Sequence, residues 1–372
     1  MGILAFHVFE VSGKLGLSAL GKTAEVAGTQ AVLWFFAISG FLLYRPYVAA
    51  RWRGVPGPRT ARYARRRALR ILPGYWTILT ILAIYPGIAG VFSGDWWRYY
   101  GYLQLYSSRT VTGGIPVAWT LGVEVTFYLA LPVWAAMMRR FAGRRLLLGE
   151  LWPLAAVAAA GAAVQVAAAR QHVPHLLASS LVGQITWIAI GMALAALSVA
   201  AEWHPAAWPR LRRLASHAGL CWSIGLAAFA AQVALAPGGG VFGLVAAVQT
   251  PQPLGRSLAK VALEVVVTAA YLLPAVFGGD SRRGVPRRLL AAPGVVWLGV
   301  VSYSFYLWHF TVIAFIARSH LPGAFSVTGL GLMDGYHGDP TFVLFVVSFI
   351  AVGLLSMLSY RFVELPFLRR KG

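Results

Sequence analysis

The chain has 372 residues and a formal net charge of +21, yet only 12% of it is charged and 59% is hydrophobic. A mean hydropathy of +0.69 excludes a water-soluble globular domain, in which about 25% of residues carry charge, and leaves a polytopic membrane protein. The positive excess does not indicate a nucleic-acid binder, because the arginines sit in short stretches between apolar spans and form no basic groove with interleaved aromatics.

The N-terminal stretch MGILAFHVFEVSGK has an apolar run too short to span a bilayer, no basic n-region and no small-residue cleavage site. It reads as the outer end of a helix whose beginning is missing, not as a signal peptide. Charge-poor stretches follow at 26–46, 71–93, 115–138, 151–169, 179–201, 218–236, 258–279, 292–317 and 341–363. A hydrocarbon core of about 30 Å takes ~20 helical residues to cross, so these nine are expected to be complete spans. The expected fold is an all-α polytopic membrane protein, a ten-helix transmembrane bundle whose first helix is a stub, with residues 1–372 as a single integral-membrane domain.

Charge orients the bundle. RWRGVPGPRTARYARRRALR, Arg51–Arg70, carries eight arginines and no acid, and long uncharged segments flank it. Basic loops stay in the cytoplasm. Threading the spans from this loop places 45–70, 139–145, 202–213, 280–288 and the C-terminal 361–372 on the cytoplasmic side, with 24 of the 32 lysines and arginines. Lys14, Lys22, Arg98, Arg109, Arg170, Arg256, Lys260 and Arg318 remain on the opposite face. Only four of the basic residues are lysine, which, with the Ala-rich spans, points to a GC-rich bacterial genome and hence to a bacterial cytoplasmic membrane.

Three loops on the opposite face are long. Residues 94–114 hold Asp95, Trp96, Trp97, Tyr99, Tyr100, Tyr102 and Tyr106, read first as an interfacial aromatic belt and alternatively as a surface stacking on a sugar or polyketide ring. Residues 237–255 read as a re-entrant or surface loop. His320, Asp334, His337 and Asp339 in 318–340 have no standard metal-site spacing, so no metal is expected. Cys221 is the lone cysteine and can form no intrachain disulfide.

Ionisable residues inside spans are costly and mark candidate functional sites. Glu124, in AWTLGVEVTFYLALP, lies mid-helix with Thr120 and Tyr128 at i−4 and i+4 on the same face. It should face a polar interior, as catalytic group or as interhelical tie. His309, in VSYSFYLWHF, sits among aromatics and reads as a packing histidine in preference to a catalyst. On spacing alone His7 is an unremarkable interfacial histidine, although an imidazole near neutrality can take a hydroxyl proton. Ser39 and Gly40 read as small residues that let helices approach.

Taken in order, FFAISGFLLYRPY (35–47), RRALRILPGYW (66–76), WTLGVEVTFYLALP (119–132), SYSFYLWHF (302–310) and VELPF (363–367) resemble the membrane acyltransferase-3 family, acyl-CoA-dependent O-acyltransferases of bacteria. The resemblance covers nearly the whole chain and implies a ten-helix bundle with both termini cytoplasmic. It carries the family's R-x-x-R, thought to grip coenzyme A phosphates, onto Arg67 and Arg70, which share a helix face and have the fork geometry phosphates favour. His7 matches the histidine of the R-x10-H motif, whose arginine would fall before Met1. Leu33 stands where many members carry an acid.

The implied reaction moves an acyl group, acetyl by expectation, from cytoplasmic acyl-CoA to a hydroxyl, with His7 as catalytic base and Glu124 able to assist it. Whether an acyl-enzyme forms is left open. The acceptor is a cell-envelope glycan, a lipid-linked sugar or a secondary metabolite such as a macrolide; acyl-CoA is a co-substrate, and no tightly bound cofactor is expected. The competing reading is a secondary transporter or exporter of a small envelope metabolite, against which the chain lacks internal repeats with matching broken helices.

Overall fold

In hydrocarbon only hydrogen bonds within a segment or a closed sheet can satisfy the backbone, and among the described residues the long apolar stretches become helices. The computed structural model describes residues 1–141, 146–236, 251–277, 288, 290–318 and 341–370. In chain order the helices are α1 (Gly2–Val11), α2 (Ala19–Trp52), α3 (Thr60–Ile84), α4 (Trp96–Tyr100), α5 (Trp119–Phe141), α6 (Leu146–Ala169) and α7 (His175–Ser179). Then come α8 (Leu181–Trp203), α9 (Pro209–Ser216), α10 (Ala218–Leu235), α11 (Leu254–Phe277), α12 (Pro293–Arg318), α13 (Thr341–Ser359) and α14 (Leu365–Arg369).

Among the described residues nine of these helices are long and apolar enough to cross a membrane, and there is no strand. The short α1 precedes them. All nine expected spans are therefore present, together with the stub. Exposed Leu42, Ile84, Leu129, Trp152, Ile350 and Leu354 belong to an apolar exterior of the kind that marks a lipid-facing surface.

Two boundaries differ from the sequence reading. The third helix ends at Ile84, nine residues short of the expected span; Pro86 lacks the N–H a continuing helix needs. The basic stretch is mostly helical, not a loop. Arginine is a good helix former, so α2 runs on to Trp52 and α3 starts at Thr60, with only the GVPGP turn and its flanks between them. At 34 residues and ~1.5 Å per residue, α2 outruns a bilayer core.

Its last turns carry Arg45 and Arg51, and both have interhelical partners. Arg51 Nε donates to Glu150 Oε1 at 2.7 Å and Nη2 donates to the Tyr44 hydroxyl at 2.9 Å, while Nη2 and Tyr44 each also bond the Glu150 carboxylate. Glu150 is fully buried. Arg45 pairs with Glu202 on α8 and donates to Ser198 Oγ at 3.2 Å.

The α2–α8 contact is the main seam. A Cβ on Gly40 would collide with the Ile188 carbonyl, and one on Gly191 with the Ala37 carbonyl, so the two backbones nearly touch. Ser18 caps the start of α2 by accepting from Gly21 N at 3.0 Å, and α1 folds back along α2, with Phe6 against Gly28.

The aromatic segment 94–114 divides. Trp96 and Trp97 are 56% and 46% exposed, as a belt requires, whereas Tyr99 and Tyr102 are 3% exposed. Tyr102 stacks on Tyr75 with centroids 4.2 Å apart, and the Tyr75 hydroxyl donates to the Tyr99 carbonyl at 2.8 Å. Gly114, at φ +65°, and Gly90 lie against the Tyr99 ring. Part of this loop is thus bundle interior. Residues 237–250 and 319–340, with His320, Asp334, His337 and Asp339, and most of the 280–288 arginine segment lie outside the described residues.

Candidate active site

Arg67 and Arg70 stand on one face of the polar first half of α3. They line a cavity of about 520 Å³ that also touches Ser39, Thr120, Glu124, Tyr303 and Tyr306, and that reaches Met1 and Ile3 of α1. Neither arginine pairs with a carboxylate among the described residues. Arg67 Nε is buried and without a partner among the described residues, and its guanidinium lies 5.8 Å from the centroid of the Tyr128 ring. These are cations held at a cavity mouth, with donor capacity to spare.

Glu124 is buried on α5 and faces the same cavity. It accepts from Ser39 Oγ at 2.9 Å and from the Tyr128 hydroxyl one turn on. Arg70 and Arg67 act on it electrostatically. A carboxylate can be buried when hydroxyl donors and opposite charge replace its water, and here both are provided. Ser39, read from sequence as a packing residue, is one of those donors; the packing role belongs to Gly40.

Tyr306 and Thr120 close the far part of the cavity. Their hydroxyls lie 2.8 Å apart, and Tyr306 donates to the Val117 carbonyl at 2.7 Å. Tyr303 is held by a bond to the Ile71 carbonyl at 2.6 Å. Outside the spans, burial pushes the Tyr102 phenol above its ordinary range, and neighbouring Tyr303 adds to the shift. It therefore stays a neutral hydroxyl.

His7 is not on the cavity wall. It lies behind Tyr306 in a buried pair with His309, ring centroids 5.1 Å apart. His7 Nδ1 lies 2.6 Å from Glu10 Oε2, and His309 Nδ1 lies 2.6 Å from the Tyr306 carbonyl. The Tyr306 carbonyl can only accept, so His309 carries its proton on Nδ1, and an ionised Glu10 places the His7 proton there too; in a neutral ring Nε2 then keeps its lone pair. Both Nε2 atoms are buried and have no partner among the described residues.

Of the four residues singled out from sequence, the fold brings Arg67, Arg70 and Glu124 to one cavity and leaves His7 off its wall, linked to it through the His309 and Tyr306 rings. The carboxylate that orients His7 is Glu10, not Glu124. Glu10 follows His7 by three residues, and that helical spacing is a signal the sequence carried.

A family model described as an acyltransferase domain matches residues 1–361. The chain belongs to the acyltransferase-3 family. Among similar proteins are three from Staphylococcus aureus strains COL, MSSA476 and MRSA252, each named "Putative O-acetyltransferase" and 33% identical over 85 residues. That match covers 23% of this chain and 11% of each relative, so the chain matches only a small part of those longer proteins. No solved structure matches. Membership implies an acyl donor as co-substrate and an acceptor.

Proposed function

We propose that the chain is an integral-membrane O-acyltransferase that takes an acyl group, acetyl by preference, from cytoplasmic acyl-CoA. It delivers the group to a hydroxyl of a cell-envelope glycan, a lipid-linked sugar or a secondary metabolite. The observation that carries this reading is the single cavity joining two arginines, free of ion pairs among the described residues, to the Thr120–Tyr306 end beside the histidine pair.

The coenzyme A phosphates dock on Arg67 and Arg70, which the charge pattern assigns to the cytoplasmic side. The pantetheine arm follows the cavity past Glu124, which stays bonded to Ser39 and Tyr128 and gives the passage a polar wall. His7 Nε2 takes the proton of the acceptor hydroxyl while Glu10 stabilises the imidazolium that forms. The hydroxyl oxygen attacks the thioester carbonyl, the C–S bond breaks, and the coenzyme A thiolate takes the proton back from His7. Among the described residues neither histidine Nε2 bonds a serine, threonine or cysteine, which supports direct transfer to the acceptor without an acyl-enzyme.

Calorimetric titration of detergent-solubilised protein with coenzyme A tests the donor site. Saturable binding that weakens at least tenfold in Arg67→Ala/Arg70→Ala is expected; wild-type affinity in that double variant would sink the phosphate assignment.

A further inference from the structure

A second cavity, of about 250 Å³, opens between α2, α6, α8, α10 and α11. Arg67, Arg70 and Glu124 do not line it, and Val32 is the residue its wall shares with the donor cavity. Its wall contains two glutamines with unmet hydrogen-bonding capacity. Gln184, 8% exposed, donates through Nε2 to the Ala178 carbonyl at 2.9 Å, which fixes its amide and leaves Oε1 without a partner among the described residues. Gln232, 6% exposed, has no partner for Nε2 among the described residues. The Glu25 Oε2 atom, in the same wall, is also buried and has no hydrogen-bond partner among the described residues. Buried polar groups without partners destabilise the fold, and a ligand that met them would offset that loss.

The groups available define the ligand. Two are acceptors and one is a donor, so a hydroxylated molecule, which both gives and receives hydrogen bonds, uses all three. A cation would use only the acceptors and an anion only the donor. Two of the wall's three basic residues are engaged already, Lys260 with Glu264 at 3.3 Å and Arg256 with the Leu235 carbonyl at 2.9 and 2.6 Å, and His175 is the third. The indoles of Trp119 and Trp187 line the same space and offer apolar surface for the C–H face of a ring. The volume falls just below the ~300–1,000 Å³ of drug-sized ligand sites, enough for one ring and too little for an oligosaccharide.

The cavity also abuts the donor passage. Val32 lines both, and the consecutive residues Trp119 and Thr120 line one each. We infer that this second cavity is the acceptor chamber and that it receives a single uncharged sugar ring, whose hydroxyl meets the acyl group at the Val32–Thr120 seam. The inference rests on the acyltransferase reading for its acceptor, but the carbohydrate chemistry comes from the cavity alone.

The test uses the full chain in detergent and four probes, the methyl glycosides of glucose, galactose, N-acetylglucosamine and rhamnose, followed by indole fluorescence and saturation-transfer NMR. At least one should bind saturably, and Gln184→Met and Gln232→Met, which keep side-chain length but remove the amide, should each weaken it at least fivefold. Either single variant suffices if the other fails to fold, and coenzyme A titration of the same preparations reports folding and the donor site. Binding of none of the four, equal binding in a folded variant, or preference for methylamine or inorganic phosphate over every glycoside would overturn the assignment. Glycoside binding without coenzyme A binding would instead reject the donor reading and leave the sugar site standing.

Discussion

Glu10 is the residue on which the chemical account of His7 depends, and Glu10→Gln is its most discriminating perturbation. The Glu10 Oε2–His7 Nδ1 contact of 2.6 Å is in the range of a charge-assisted hydrogen bond, which contributes about 1.5–3 kcal/mol. A glutamine oxygen can still accept from Nδ1, so the tautomer survives, but the negative charge that stabilises the imidazolium is lost. Taking ~2 kcal/mol at 1.36 kcal/mol per tenfold, kcat should fall about 30-fold. Glu10→Leu, which removes the acceptor as well, should approach the 10²–10⁴-fold range of a missing general base. Since Glu10 does not line the donor cavity, the KM for acyl-CoA should not move. The side chain is partly exposed and glutamine is isosteric, so folding should be spared. The assay is transfer of radiolabelled acyl groups into the membrane glycan and lipid fraction at saturating donor. Wild-type kcat in Glu10→Gln, or a loss confined to KM, would refute the reasoning.

Three further outcomes follow from packing and buried polar contacts. Arg51→Met or Glu150→Leu alone should cost about 3–5 kcal/mol, because each leaves a buried charge unpaired; in thermal unfolding followed by tryptophan fluorescence, the double variant should regain most of the lost Tm. Ser39→Ala and Tyr128→Phe each take one donor from buried Glu124 and should cost about 1–3 kcal/mol, and both together should lower Tm by more than either one. Gly191→Val puts side-chain carbons where the Ala37 carbonyl lies, and overpacking of about 1–3 kcal/mol should appear as lower yield of monodisperse protein in size-exclusion chromatography.

The bundle was legible because its main determinants are local. A run of about twenty uncharged residues becomes a helix whatever lies elsewhere in the chain, although the expected span 71–93 ran past Pro86, where the helix stops. What escaped was pairing at a distance. Arg51 reads as a topology charge until α6 brings up Glu150, 99 residues later. Tyr99 and Tyr102 share the composition of an aromatic belt with Trp96 and Trp97, and only the fold turns two of them inward. Glu124 was visible from a single helix turn, since Thr120 and Tyr128 flank it, whereas its Ser39 donor lies on another helix. Gln184 and Gln232 carried no sequence signal, because an amide in an apolar helix looks the same whether its partner is a neighbouring backbone or a ligand.

The most direct test of the acyltransferase account is comparative mass spectrometry of envelope glycans, lipids and secreted metabolites from a strain lacking the gene. The account predicts loss of one alkali-labile O-acyl mass, restored by the wild-type chain but not by His7→Ala or by Arg67→Ala/Arg70→Ala at equal expression. An O-acyl profile unchanged by the deletion, or restored equally by the His7→Ala chain, would contradict it.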